Sequence, residues 1–133
     1  MAIGITSARI VPTKNLSTLQ VDPKFFGQIS STQDPYALMI LETDTKCIRV
    51  IPLEQEQVTK ISIEASSISP ELLMELSSVF IRNKLSIIFC QNALRSNLRI
   101  EVFIREIDVS SLLLDLEKMD GITKVEVMEL FVS

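Results

Sequence analysis

Apolar and polar residues alternate most regularly between Val58 and Ala65, where Ile61, Ile63 and Ala65 are interleaved with Lys60, Ser62 and Glu64. That period of two predicts a strand with one buried face. The period then changes. Leu72, Leu73, Leu76, Val79 and Phe80 recur at helical spacing behind Ser69 as N-cap, Pro70 at the first helical position and Glu71 near the positive end of the helix dipole. A strand that feeds such a helix predicts a sheet for the helix to lie on.

Downstream, Arg82-Asn83-Lys84 places cations at the helix C-terminus. Leu85 to Cys90 is apolar on both parities, which predicts a central strand covered on both faces or lying at a subunit contact. Gln91 to Asn97 reads as a polar turn, and Leu98, Ile100, Val102 and Ile104 then alternate with Arg99, Glu101, Phe103 and Arg105 as a half-buried strand. Asp108 is the expected cap of a second helix carrying Val109, Leu112, Leu113 and Leu116 on one face, with Gly121 where a left-handed residue is wanted. Ile122, Val125 and Val127 open a last strand that Met128, Leu130 and Val132 continue on the opposite parity, the pattern of a bulge or of a strand end packed on another surface. From Val58 the order is β-α-β-β-α-β, which interleaves as a four-stranded antiparallel sheet with both helices on one face.

Before Val58 the pattern is sparser. Ile3, Ile5, Ala8, Ile10 and Val11 predict an opening strand closed by Pro12, and Thr13 to Val21 reads as irregular or as a short strand. Phe25-Phe26 with Gly27 and Ile29 suggests a second short piece before the polar run Ser30 to Pro35. Tyr36 to Leu41 and Cys47 to Leu53 predict a hairpin, with Pro52 ending its second strand or marking it as an edge. Residues 1–57 are therefore expected to be a β-rich N-terminal extension, in the same domain as residues 58–133 or a small subdomain beside them. Glu54-Gln55-Glu56-Gln57 is the most plausible internal boundary.

Composition adds a reason to expect company. An apolar share of 47% and a mean hydropathy of +0.32 imply a large core or a subunit interface. Helices on one sheet face leave the other in need of a cover, which the N-terminal strands or a second subunit would supply, and a homodimer is the expected assembly. Thirteen Lys+Arg against seventeen Asp+Glu give a net charge of −4. With no basic run, nucleic-acid binding is disfavoured. Cys47 and Cys90 are too few for a disulfide framework or a zinc site and are expected to be buried free thiols of a reducing compartment. No apolar run reaches the ~20 residues of a membrane span, and Met-Ala-Ile-Gly-Ile-Thr lacks the features of a signal peptide, so the expected location is the cytoplasm with no membrane partner.

The order of elements, together with the run Leu112-Leu113-Leu114-Asp115-Leu116-Glu117-Lys118-Met119-Asp120-Gly121-Ile122-Thr123-Lys124-Val125-Glu126-Val127, resembles the ACT domain over about Thr59 to Met128. Lys84-Leu85-Ser86-Ile87 likewise resembles the segment where that family's first helix hands over to its second strand. The resemblance implies an α+β, ferredoxin-like βαββαβ fold and a small regulatory module that binds an amino acid. Where the family has an Asp-x-Pro-Gly type turn, this chain has Ser67-Ile68-Ser69-Pro70-Glu71, which keeps the proline but not the glycine. Phe25-Phe26 with the later run Tyr36-Ala37-Leu38-Met39-Ile40, placed before such a unit, is also similar to the N-terminal part of the tandem-ACT arginine-sensor family.

An amino acid needs donors for its carboxylate and acceptors for its ammonium. The first helix N-terminus supplies donors, with Ser66, Ser67, Ile68 and Ser69 around it. By the resemblance, the partner surface is Ser86, Ile87 and Ile88 at a subunit contact. Serines before a helix are also ordinary caps. The arginines of the polar loop, Arg95 and Arg99, fit a carboxylate or phosphate but fit a solvated hairpin equally. Glu101, Glu106, Asp115 and Glu117 read as solvated carboxylates. With no histidine, no phosphate loop and no nucleophile or metal-ligand motif, the expectation is a non-enzyme without cofactor or metal. A ligand-free interaction or assembly subunit that uses its sheet edge toward a protein partner is the alternative.

Overall fold

The computed structural model describes residues 6–18, 34–43, 45–66, 69–94 and 98–132. The pieces at Phe25-Phe26 and Ser30 to Gln33 fall outside that range. The fold is α+β, with two α-helices and two antiparallel sheets among the described residues, and the chain divides into two compact units: Met1–Gln57 with Leu130–Ser133, and Val58–Glu129.

In the first unit β1 (Thr6–Pro12), β2 (Tyr36–Glu42) and β3 (Cys47–Leu53) form an antiparallel sheet in that order. Pro12 ends β1, as a residue with no N–H must at a ladder's limit. Thr13–Thr18 is a 3-10 helix, not a strand, its start fixed by the bonds Thr13 N to Pro35 O (2.9 Å) and Thr13 Oγ1 to Asp34 O (2.8 Å). The hairpin closes through Lys46 at φ 56° and places Pro52 on an edge strand opposite Ala37. Ile10, Leu38, Ile40 and Leu53 are fully buried on one sheet face. Val132 joins this unit by a parallel bridge to Ile10 and a 3.1 Å bond from its N–H to Glu56 O.

The second unit carries β4 (Gln57–Ala65), α1 (Pro70–Arg82), β5 (Ile87–Leu94), β6 (Leu98–Ile104), α2 (Ser110–Glu117) and β7 (Ile122–Phe131). The sheet order is β5-β6-β4-β7. Register sets Ile61 against Val102, Ile63 against Ile100 and Ala65 against Leu98, so the apolar parities of β4 and β6 share a face. Onto it pack Leu72, Leu76 and Val79 of α1 and Leu112 and Leu116 of α2 as one core. Asn83 ties the helices together, donating to Val79 O (2.8 Å) and to Asp115 Oδ2 (2.9 Å), which also meets Arg82 at 3.5 Å.

Several expectations are corrected. Leu85–Cys90 is not a central strand: β5 begins at Ile87, continues through Gln91–Leu94 where a turn was expected, and lies at the sheet edge. Its two-sided apolar pattern reflects a register shift between Ile87 and Phe89, which returns Cys90 to the helix side. The N-cap of α2 is Val109 rather than Asp108, although Asp108 Oδ1 accepts from the Ser110 N–H at 3.1 Å. Both cysteines are free but exposed rather than buried, Cys47 at the start of edge strand β3 and Cys90 on edge strand β5.

Candidate functional site

The first strand-to-helix turn is built by Ser69. Its extended backbone (φ −135°, ψ 152°) ends the loop, and its Oγ accepts from the Leu72 N–H at 3.1 Å while its carbonyl accepts from the Leu73 N–H at 3.2 Å. Pro70 has no N–H. Of the first-turn donors only that of Glu71 is not committed to Ser69. With the Leu72 and Leu73 N–H groups taken by Ser69, a carboxylate arriving there would meet fewer donors than an uncapped helix start offers. Ser66 is exposed and its N–H donates to Gly121 O at 3.0 Å; Ser67 and Ile68 lie outside the described residues.

The second candidate group sits elsewhere. Ser86 donates its N–H to the Glu106 carboxylate and accepts from the Arg105 N–H at 3.1 Å. Ile87 is exposed and Ile88 half-buried. Ile87 is level with Ile104 and hence with Thr59, whereas Ala65, next to Ser66, is level with Leu98. Thr59 and Ala65 are six residues apart along β4, about 20 Å. Within one chain, therefore, Ser66 and Ser69 are not brought together with Ser86, Ile87 and Ile88. Joining them would need a second chain.

An apolar concave feature of this unit lies between α1 and β5. It is a groove of about 410 Å³ walled mainly by Leu73, Phe80, Ile81, Ile87, Ile100 and Val102, with Ser77, Cys90 and Asn92 as its polar side chains. Partial burial pushes the Cys90 thiol pKa up, which makes it a poorer nucleophile at neutral pH.

The sheet face away from the helices holds a feature the sequence reading missed. Glu101 is not solvated: its side chain is fully buried, Oε1 3.3 Å from Lys60 Nζ and Oε2 3.3 Å from Arg99 Nε. Arg99 continues to Glu64 at 2.6 Å, and Lys60 stands 5.7 Å from the centre of the Phe103 ring. Arg99 is thus engaged by two carboxylates rather than open to a ligand, and Arg95 lies outside the described residues. A signal existed in the sequence. Once the apolar parities of β4 and β6 are aligned, Glu64 falls opposite Arg99 and Ser62 opposite Glu101, cross-strand neighbours that interact.

Among the described residues no group of three or more His, Cys, Asp or Glu is placed to hold a metal ion. No helix among them is long and apolar enough to cross a membrane.

No family model matches the chain, and no curated protein matches it. Among solved structures it is similar to a homoserine dehydrogenase from Thiobacillus denitrificans, with 14% identity over 62% of this chain and a TM-score of 0.41. The chain spans about one fifth of that enzyme's length, the matched part being 19% of it. At that level neither fold nor function of the present chain rests on the likeness.

Proposed function

We propose that the chain is a non-catalytic regulatory module of the ferredoxin-like, ACT-like kind that works by associating with its own copies. The sheet order β5-β6-β4-β7, with both helices feeding one core, supports the ferredoxin-like arrangement. The observation that carries the reading is the apolar surface left outside that core. Ile81 and Ile87, each half or more exposed, line one groove together, with Met74 exposed on the same helix, and exposed apolar surface of this kind marks interaction sites. Light scattering across a micromolar concentration series tests it. A species of twice 14.9 kDa supports the reading, and a 14.9 kDa species throughout refutes it.

The narrower reading adds an amino acid at the first strand-helix turn, held by Ser66, Ser67, Ile68 and Ser69 of one copy against Ser86, Ile87 and Ile88 of another. Those two groups do not meet within one chain, so this reading requires a subunit contact to bridge them. Calorimetry against the twenty amino acids tests it: heat and a raised melting temperature for one of them support it, silence for all removes it.

A further inference from the structure

The register of the first unit sets Ser7, Leu41 and Ile48 abreast across β1, β2 and β3, and Arg9, Met39 and Val50 abreast in the next row of the same parity. Both rows share one sheet face, the one opposite that of the fully buried Ile10, Leu38 and Ile40. Here Leu41 is 40% and Ile48 62% exposed, and Ser7, Arg9, Met39, Leu41 and Ile48 bound a shallow hollow of about 210 Å³. Independently of the self-association proposed above, we infer that this hollow binds a single-tailed aliphatic carboxylate. Its head lies on Arg9 and Ser7 of β1, and its tail crosses β2 to Ile48 of β3.

Arg9 carries the assignment of the head group. Arg49, Arg82 and Arg99 each meet a carboxylate, whereas Arg9 is exposed and has neither hydrogen bond nor ion pair among the described residues. In a chain of net charge −4, a guanidinium standing beside apolar side chains is open to an outside anion, and its planar fork matches a carboxylate. Ser7 stands two residues away on the same face, about 7 Å along the strand, and adds a hydroxyl donor. One cation and one hydroxyl suit a single negative charge. No Asp or Glu lines the hollow, so the ammonium of an amino acid would find no carboxylate there. The ligand therefore differs in class from the amino acid considered above.

The tail is set by Met39, Leu41 and Ile48. Neighbouring strands lie about 4.8 Å apart, which puts β1 and β3 about 10 Å from each other. An extended chain advances about 1.2 Å per bond, so a tail of about eight carbons covers the width. The volume of about 210 Å³ lies below the roughly 300–1,000 Å³ of pockets for drug-sized ligands, which likewise favours a short tail.

Calorimetric titration of the full chain with sodium octanoate tests the inference. Saturable binding with a dissociation constant on the order of 1 mM is expected. Octan-1-ol, which keeps the tail without the charge, and leucine, which adds the ammonium, are each expected to bind about tenfold more weakly or worse. Arg9→Gln is expected to weaken octanoate binding by a similar factor, since it removes a hydrogen bond to a charged group, and Arg9→Lys to retain more of the affinity than Arg9→Gln. Ile81→Asn, in the groove beside α1, is expected to leave it unchanged. Circular dichroism checks that each variant is folded. No saturable heat, or any other ranking, overturns the inference. So does a dimer that Ile48→Asp dissociates in sedimentation equilibrium, because the face then belongs to a second copy of the chain.

Discussion

Replacing Glu101 by glutamine probes the charged face of the second sheet. The carboxylate lies 3.3 Å from Lys60 Nζ and 3.3 Å from Arg99 Nε and is shut off from solvent. At an effective dielectric of 20, each contact has a gross attraction of about 5 kcal/mol, most of it offset by the cost of taking the charges out of water. Glutamine preserves shape but removes the countercharge. Arg99 keeps Glu64 at 2.6 Å, so the loss falls on Lys60, whose side chain is only 8% exposed. Breaking a buried pair in this way costs about 3–5 kcal/mol, about a fifth or more of the roughly 5–15 kcal/mol that holds a domain together.

Urea unfolding reads the change directly. With a slope of about 2 kcal/mol/M the midpoint falls by about 2 M, the slope itself staying constant. A companion variant separates pairing from packing. Lys60→Met with Glu101→Leu removes both charges at similar volume and is expected to restore the parent midpoint or exceed it, because buried ion pairs are often no better than apolar replacements. If Glu101→Gln stays within about 0.5 kcal/mol of the parent, the size of a typical surface change, the carboxylate is not the charge centre described and the argument fails.

Three further outcomes are expected. Ser69→Ala removes the Oγ that caps Leu72 N–H and should cost about 1 kcal/mol, seen as a melting temperature lower by about 4 °C; an unchanged melting temperature would show that the cap contributes nothing. Gly121 holds φ +92° with only Leu72 Cδ1, at 3.9 Å, near a would-be Cβ, so Gly121→Ala should lose about 1–2 kcal/mol from backbone strain alone, and an asparagine there should lose less. Asp115 has its pKa lowered, first by the hydrogen bond from Asn83 and then by Arg82. A depressed folded-state pKa gives stability that is present above the unfolded carboxylate value and is lost as pH falls through the folded one. As pH falls from above the unfolded carboxylate value through the lowered folded one, the parent should therefore lose more stability than Asp115→Asn, and parallel curves would remove the assignment.

The parts of the fold legible in the sequence are those where local signals and burial agree. Ser69, Pro70 and the leucine stripe specify α1 at both the capping and the packing level, and Gly121 marks its turn because a left-handed residue is sterically required there. Thr13–Thr18 was not legible as a 3-10 helix, since its start is set by bonds to Asp34 and Pro35, about twenty residues away. Likewise Val109 takes the cap position of α2 without a side-chain bond, where propensity favours the neighbouring Asp108. The serines of the proposed ligand site were legible as residues but not as a site, because a hydroxyl that caps its own helix has the same sequence signature as one that waits for a ligand.

The two errors about charge and edge have a common physical origin. Period-two alternation tells which residues share a face, not what that face meets, so Glu101 in the polar parity of β6 has the sequence signature of a solvated carboxylate although its side chain is fully buried. Uniform apolarity in Leu85–Cys90 predicts a central strand, covered on both faces or lying at a subunit contact, yet the strand is at the edge and the shifted register near Ile88 accounts for the pattern by turning Ile87 and Cys90 to the same side. An edge with that composition costs solubility unless something pairs with it. A charged edge on β7 in the same sheet shows that this chain has the usual defence and deploys it on one side.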